Sequence, residues 1–181
     1  MLTFKGNLYT FNFNNPDAGL DEITLEGFDK SEFIPHGIDF YTDTATQETY
    51  LFVVNHGNGK ESIEIFEFYE DRRVLKHRKT VTDKNIYFPN DVVAVGKHKD
   101  VLVMVFFSNL NNLLLSTSLF IGPDSFYVTN DHYFRNHLLT KFEVFYPLNL
   151  GNVVFYNGTN ANIVATDMRM PNGINTDKTG K

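Results

Sequence analysis

Short runs in which apolar and polar residues alternate, or in which nearly every residue is apolar, recur along the chain between clusters of Gly, Asn, Asp and other polar residues. They read NLYTFNF, EITLEGF, ETYLFVV, SIEIFEFY, RVLKHRKTV, DVVAV, SFYVTND, KFEVFY and NVVFY. Successive side chains of a strand point to opposite faces, so a period of two predicts strands. Helical spacing is hard to find anywhere. In SIEIFEFYEDRRVLKHRKTV two such runs flank EDRR, which predicts a hairpin. Many short strands at regular spacing predict an all-β sandwich, barrel or propeller.

One segment breaks the rhythm. From Val101 to Gly122 the chain reads VLVMVFFSNLNNLLLSTSLFIG and carries no charge. Its length suits a membrane span, which takes about 20 apolar residues. However, SNLNN and STS put seven small polar side chains inside it, and a spanning helix would have to satisfy each of them. Residues 97–122 are therefore read as a foreign insertion or retained-intron segment, or as a pair of buried strands, within a partial domain covering 1–181. A membrane-contacting loop is the rival account. The last residues, NGINTDKTGK, resemble a strand end entering a hairpin turn, so the chain is expected to be incomplete.

Composition narrows the class. With 181 residues the chain can bury a real core, and 18 Phe and 9 Tyr without Trp suit pleated surfaces. The net charge of -6 comes with no basic cluster longer than KHRK at Lys76 to Lys79, which argues against nucleic acid as a partner. The absence of cysteine excludes disulfides, thiolate metal sites and cysteine nucleophiles. No basic start followed by an apolar core opens the chain, so no signal peptide is read in it. The sequon Asn157-Gly158-Thr159 is a glycosylation site in a secretory context.

G-x-S-x-G, HExxH and an EF-hand loop are all absent. What remains is His36 in PHGI, His56 in VVNHG, Asn90-Asp91 in FPNDVVAVG, TNDHYF from Thr129 to Phe134, and PNGIN from Pro171 to Asn175. Each has an ordinary reading as a turn, a capped loop or a hydrogen-bonded strand end. The Asn-Asp pair is the exception. A buried Asp must be paired or hold a metal, and on an extended strand Asn90 and Asp91 would point apart, towards two neighbouring sites. Ligands that are all oxygen suit calcium rather than zinc or copper.

Taken together, FIPHGIDFY, YLFVVNHG, SIEIFEFYEDRRVLKHRKTV, FPNDVVAVG, FYVTNDHYF, NVVFYNG and PNGINTDKTGK follow one another as in the serum paraoxonase/arylesterase family. The chain resembles that family over almost its whole length. The resemblance implies a six-bladed β-propeller, of which this chain supplies roughly half, with one catalytic and one structural calcium ion in its tunnel. It implies hydrolysis of aryl esters and lactones. Asn90 and Asn172 match ligands of the catalytic calcium; Asp91 and the main-chain carbonyl of Ile38 match ligands of the structural one. His36 matches the general base and His56 the histidine that orients it. Asp131 and His132 match substrate contacts. The partners implied are a small ester or lactone, with lipid or membrane association, and the address implied is extracellular or membrane-associated.

The chain also departs from that family. The paired acidic calcium ligands would precede Met1, an Asp-Asn pair would follow Lys181, and the family's cysteines are absent. Calcium takes six to eight oxygens and favours carboxylates, so the chain is expected to be an incomplete, weakly active or inactive form. The alternatives are a non-catalytic propeller fragment or splice form, and a sugar-lactone hydrolase of the gluconolactonase/regucalcin type.

Overall fold

The computed structural model describes residues 6–95, 124–134, 136–146 and 148–176. The 97–122 segment lies outside the described residues. The architecture is all-β with one short helix. Strands β4 (Pro35–Thr42), β5 (Thr49–Asn55), β6 (Ser62–Tyr69) and β7 (Val74–Val81) form an antiparallel meander. A second meander runs through β8 (Pro89–Ala94), β9 (Phe126–Asn130), β10 (Gly151–Tyr156) and β11 (Ala161–Met168). Before the first meander come β1 (Tyr9–Phe11), β2 (Leu20–Glu22) and β3 (Thr24–Glu26). β1 and β2 pair as a ribbon, and β3 adds to β7 in parallel.

The two meanders stack face to face, as neighbouring propeller blades do. Phe52, Val54, Ile63, Ile65 and Val81 of the first sheet meet Val92, Phe126, Val128, Val154 and Tyr156 of the second in one buried cluster. Each such side chain contributes roughly 1.5–3 kcal/mol when fully buried. On its other face the first sheet packs Val53, Phe66 and Leu75 against Ile23 and Phe33 of the N-terminal segment. Polar ties flank the stack. Lys79 Nζ donates to Asp124 Oδ2 and to the Gly158 carbonyl, at 3.0 and 3.1 Å. Asn130, fully buried, accepts from the N–H groups of Tyr87 and Phe88 and donates to the Asn85 carbonyl, pinning the crossing between the sheets.

The run SIEIFEFY coincides with β6, and EDRR with the turn between β6 and β7. Arg73 closes that turn in the left-handed region, at φ 52°. The structure corrects one run. KFEVFY, predicted as a strand, lies mostly in the helix α1 (His137–Phe145) and not in any sheet. Asn136 starts this helix by accepting from the Leu138 N–H. Alternation misled here because burial is inverted. Glu143 is the buried member, 1% exposed, while Phe142, Val144 and Phe145 face outwards.

Candidate active site

The edge strands β4 and β8 of the two sheets lie side by side, and each carries a bulge at its N-terminal end. On β4 the register with β5 breaks between Pro35 and Ile38, and on β8 the register with β9 breaks between Pro89 and Asp91. A bulge re-aims side chains that regular pleating would alternate. His36-Gly37 occupy the first bulge and Asn90 the second, so the residues singled out in the sequence sit where the pleat is interrupted. Gly37 fixes how close the strands come. A Cβ there would lie 2.5 Å from Asp91 Oδ1 and 2.6 Å from the Asn90 carbonyl oxygen. The backbone of the bulge that carries His36 is thereby set against the Asn-Asp pair.

The histidines do meet. His36 Nδ1 lies 3.1 Å from His56 Nε2. His56 follows the last residue of β5, and its backbone N–H donates to the Ile34 carbonyl at 3.1 Å. Asn55 secures the same corner. Its Oδ1 accepts from the N–H groups of Ile34 and Gly57, at 2.8 and 3.3 Å, and its Nδ2 donates to the Glu32 carbonyl. A tight turn, Gly57–Gly59, then doubles the chain back. Glu61 arrives with Oε2 2.5 Å from His56 Nδ1. Glu61 was not singled out in the sequence, although a carboxylate closing a Gly-rich turn in NHGNGKE was there to be seen.

Asn90 and Asp91 take different partners. Asn90, buried, donates from Nδ2 to Asp131 Oδ2 at 3.2 Å, and His132 Nδ1 lies 2.9 Å from the other oxygen, Asp131 Oδ1. Asp91 Oδ2 accepts from the Ile174 N–H at 3.0 Å, which draws the PNGIN loop over β8. Asn172 of that loop is exposed, one residue before Gly173. Asp39 adds a second carboxylate beside Asp91 and accepts from the Ala94 N–H at 2.8 Å, tying β4 to β8. Burial pushes the Asp39 carboxyl above its ordinary 3.8; the N–H groups of Ala94 and Phe40 pull it back, and the charge of Asp91 pushes it up again.

The loop after β9 is held by the helix. Glu143 accepts from the N–H of Tyr133 at 3.0 and 3.1 Å and from that of Phe134 at 3.2 Å. This carboxylate positions the backbone that follows Asp131 and His132. Ile38 stands just past the first bulge, opposite Val53. Asn157 lies apart from all of these, in the β10–β11 turn, where its Oδ1 accepts from the N–H groups of Thr159 and Asn160.

The residues present fit a calcium-type ion in kind. The side chains of Asn90, Asp91 and Asn172 and the Ile38 carbonyl all offer oxygens, the ligand type that calcium takes. No grouping of three or more His, Cys, Asp or Glu suited to a metal occurs among the described residues. Nor is any helix among them long and apolar enough to cross a membrane.

Comparison with known proteins places the chain in context. The arylesterase family profile matches residues 3–116 and 106–181. Serum paraoxonase/arylesterase 2 of Gallus gallus is 36% identical over 171 residues, which are 94% of this chain and 41% of that protein. Serum paraoxonase/arylesterase 1 of Homo sapiens is 34% identical over 178 residues, 97% and 42% respectively. Serum paraoxonase/lactonase 3 of Homo sapiens is 35% identical over 167 residues, 92% and 39%. The chain thus spans about two fifths of the length of the curated relatives it matches.

Proposed function

The chain belongs to the arylesterase family, and from that premise we propose that it carries the histidine pair and part of the calcium-binding surface of a hydrolase of aryl esters and lactones. The substrate classes follow the names of its relatives, arylesterase and lactonase. The observation that supports the reading is the close approach of β4 and β8 at Gly37. It sets the bulge that carries one of two hydrogen-bonded histidines against an oxygen-rich corner.

In this reading His36 is the general base. As the oxygen of a water molecule attacks the acyl carbon, one of its protons passes to His36 Nε2, and His56 holds the ring through the 3.1 Å contact with Nδ1. A positioned base of this kind contributes on the order of 10²–10⁴-fold in rate. Asn90 and Asn172 would hold one calcium ion, and Asp91 and the main-chain carbonyl of Ile38 a second. When bound, calcium supplies Lewis-acid stabilisation of charge developing on the carbonyl oxygen. Asp131 and His132 contact the substrate from the loop that Glu143 braces. Small esters and lactones are the partners, and an extracellular or membrane-associated address belongs to the same proposal.

The test is hydrolysis of phenyl acetate and an aromatic lactone by the purified chain, with calcium and with a chelator. Chelator-sensitive turnover that disappears in His36→Gln and Asn90→Ala is expected. Turnover indifferent to the chelator, or surviving both substitutions, overturns the proposal. A folded chain that is inert with calcium favours a second reading, a non-catalytic form. That reading draws on the internal partners that already engage two of the ligands, Asp131 on Asn90 and the Ile174 N–H on Asp91.

A further inference from the structure

We propose that Glu61 is a positioning residue that sets the tautomers of both histidines and so leaves His36 Nε2 free to act as a base. The catalytic meaning of this inference rests on the function proposed above; the tautomers themselves do not. A neutral imidazole has one N–H donor and one bare acceptor nitrogen, and a carboxylate only accepts. With Glu61 Oε2 2.5 Å from His56 Nδ1, the proton of His56 resides on Nδ1. Its Nε2 is therefore the acceptor. The 3.1 Å contact then requires His36 to donate from Nδ1. That leaves Nε2 of His36 as the nitrogen with the open lone pair. One carboxylate thus fixes two rings in series.

A merely architectural role does not account for Glu61. The corner is already held by Asn55, through its contacts with Ile34, Gly57 and Glu32. The His56 backbone is held by Ile34. What Glu61 adds is a partner for the remaining ring nitrogen, in a place where solvent competes weakly: the side chains of His56 and Glu61 are 27% and 17% exposed. Without that carboxylate His56 is free to move its proton to Nε2. His36 would then accept at Nδ1 and carry its own proton on Nε2, where it blocks the base.

The experiment is long-range proton–nitrogen NMR of the imidazole rings in the nitrogen-15-labelled full chain, with signals assigned through His36→Gln and His56→Gln. The pH is raised until the ring nitrogen shifts stop changing, and the tautomers are read on that plateau. In the unmodified chain both His56 and His36 are expected as the Nδ1–H tautomer; finding His56 as Nε2–H overturns the inference without any variant. In Glu61→Ala, His56 is expected to switch to Nε2–H and His36 to follow; unchanged tautomers overturn it as well. Where the chain turns over phenyl acetate, Glu61→Ala is expected to lower kcat on the order of 10-fold to 100-fold with KM nearly unchanged, as for supporting partners of reactive groups. An inert chain counts against the proposed function alone, because the ring signals still decide the role of Glu61.

Discussion

Gly37→Ala gives a prediction whose sign is decided by the structure. The glycine does not sit in the left-handed region, so its backbone suits alanine. Replacing such a glycine ordinarily stabilises a protein by about 0.4–1 kcal/mol, by restricting the unfolded chain. Here the new methyl carbon would lie 2.5 Å from Asp91 Oδ1 and 2.6 Å from both the Asn90 carbonyl oxygen and Asp91 Cα. Two of those three atoms are backbone, and turning the Asp91 side chain does not move them. The carboxylate is itself restrained by the Ile174 N–H. β8 must therefore shift away from β4, and overpacking of this kind costs about 1–3 kcal/mol. Set against the unfolded-state gain, the net loss is at most about 2.6 kcal/mol; for a chain of this size 1 kcal/mol corresponds to ~2–4 °C in Tm, so the expected drop is a few degrees, up to roughly 10 °C. Thermal and urea unfolding of the full chain measure it. A Tm equal to or above that of the unmodified chain refutes the claimed approach of the two strands, and with it the placement of the His36 bulge against Asn90 and Asp91.

Other perturbations read other parts of the molecule. Glu64, 2% exposed, accepts from Ser62 Oγ and Thr80 Oγ1, both at 2.6 Å, and is paired with His77 Nε2 at 2.9 Å. Glu64→Ala leaves these groups without their acceptor and is expected to cost about 3–5 kcal/mol in urea unfolding; a loss under ~1 kcal/mol contradicts the network. Glu143→Ala frees the N–H groups of Tyr133 and Phe134. It is expected to cost about 1–3 kcal/mol and, in a chain with turnover, to raise KM more than it lowers kcat; equal effects on both contradict a role confined to the substrate loop. Burial pushes the Tyr127 phenol above its ordinary 10.0. Its proton is thus held more tightly folded than unfolded, and stability is lost as pH rises from that value through the raised one. Tyr127→Phe is expected to lessen this alkaline loss; an identical pH profile of unfolding refutes it.

Much of the sheet framework was legible because its residues obey one rule at a time. SIEIFEFY and NVVFY have the strand composition that both-face burial demands, and they became β6 and β10. β11 went unremarked in the sequence, since its small and polar residues, ANIVATDM, give little apolar signal. KFEVFY failed for the opposite reason, showing alternation in a helix that buries the acidic Glu143 while Phe142, Val144 and Phe145 are exposed. At the site, residue identity was legible and arrangement was not. Simple pleating separates Asn90 from Asp91 by face alone; the structure separates them through a bulge, with Asp131 claiming one and the PNGIN loop the other. Glu61 carried a local signal, a carboxylate closing the Gly-rich NHGNGKE turn, whereas Asp39 acts through a neighbouring strand, which no local pattern encodes.

The parallel pairing of β3 with β7 also bears on how the chain matures. Every other pair in the two meanders joins strands adjacent in sequence, but Thr24 waits for Val74, 50 positions later by subtraction of their numbers. At ~5–20 residues per second, synthesis takes roughly 2.5–10 s to span that gap. Until then Ile23 and Phe33 lack Phe66 and Leu75, two of their buried partners in the sheet, and have only Val53 and their local neighbours to pack against. The segment from Ile23 to Phe33 therefore completes its apolar cluster only once β7 is made, which sets its burial among the late steps of this sheet.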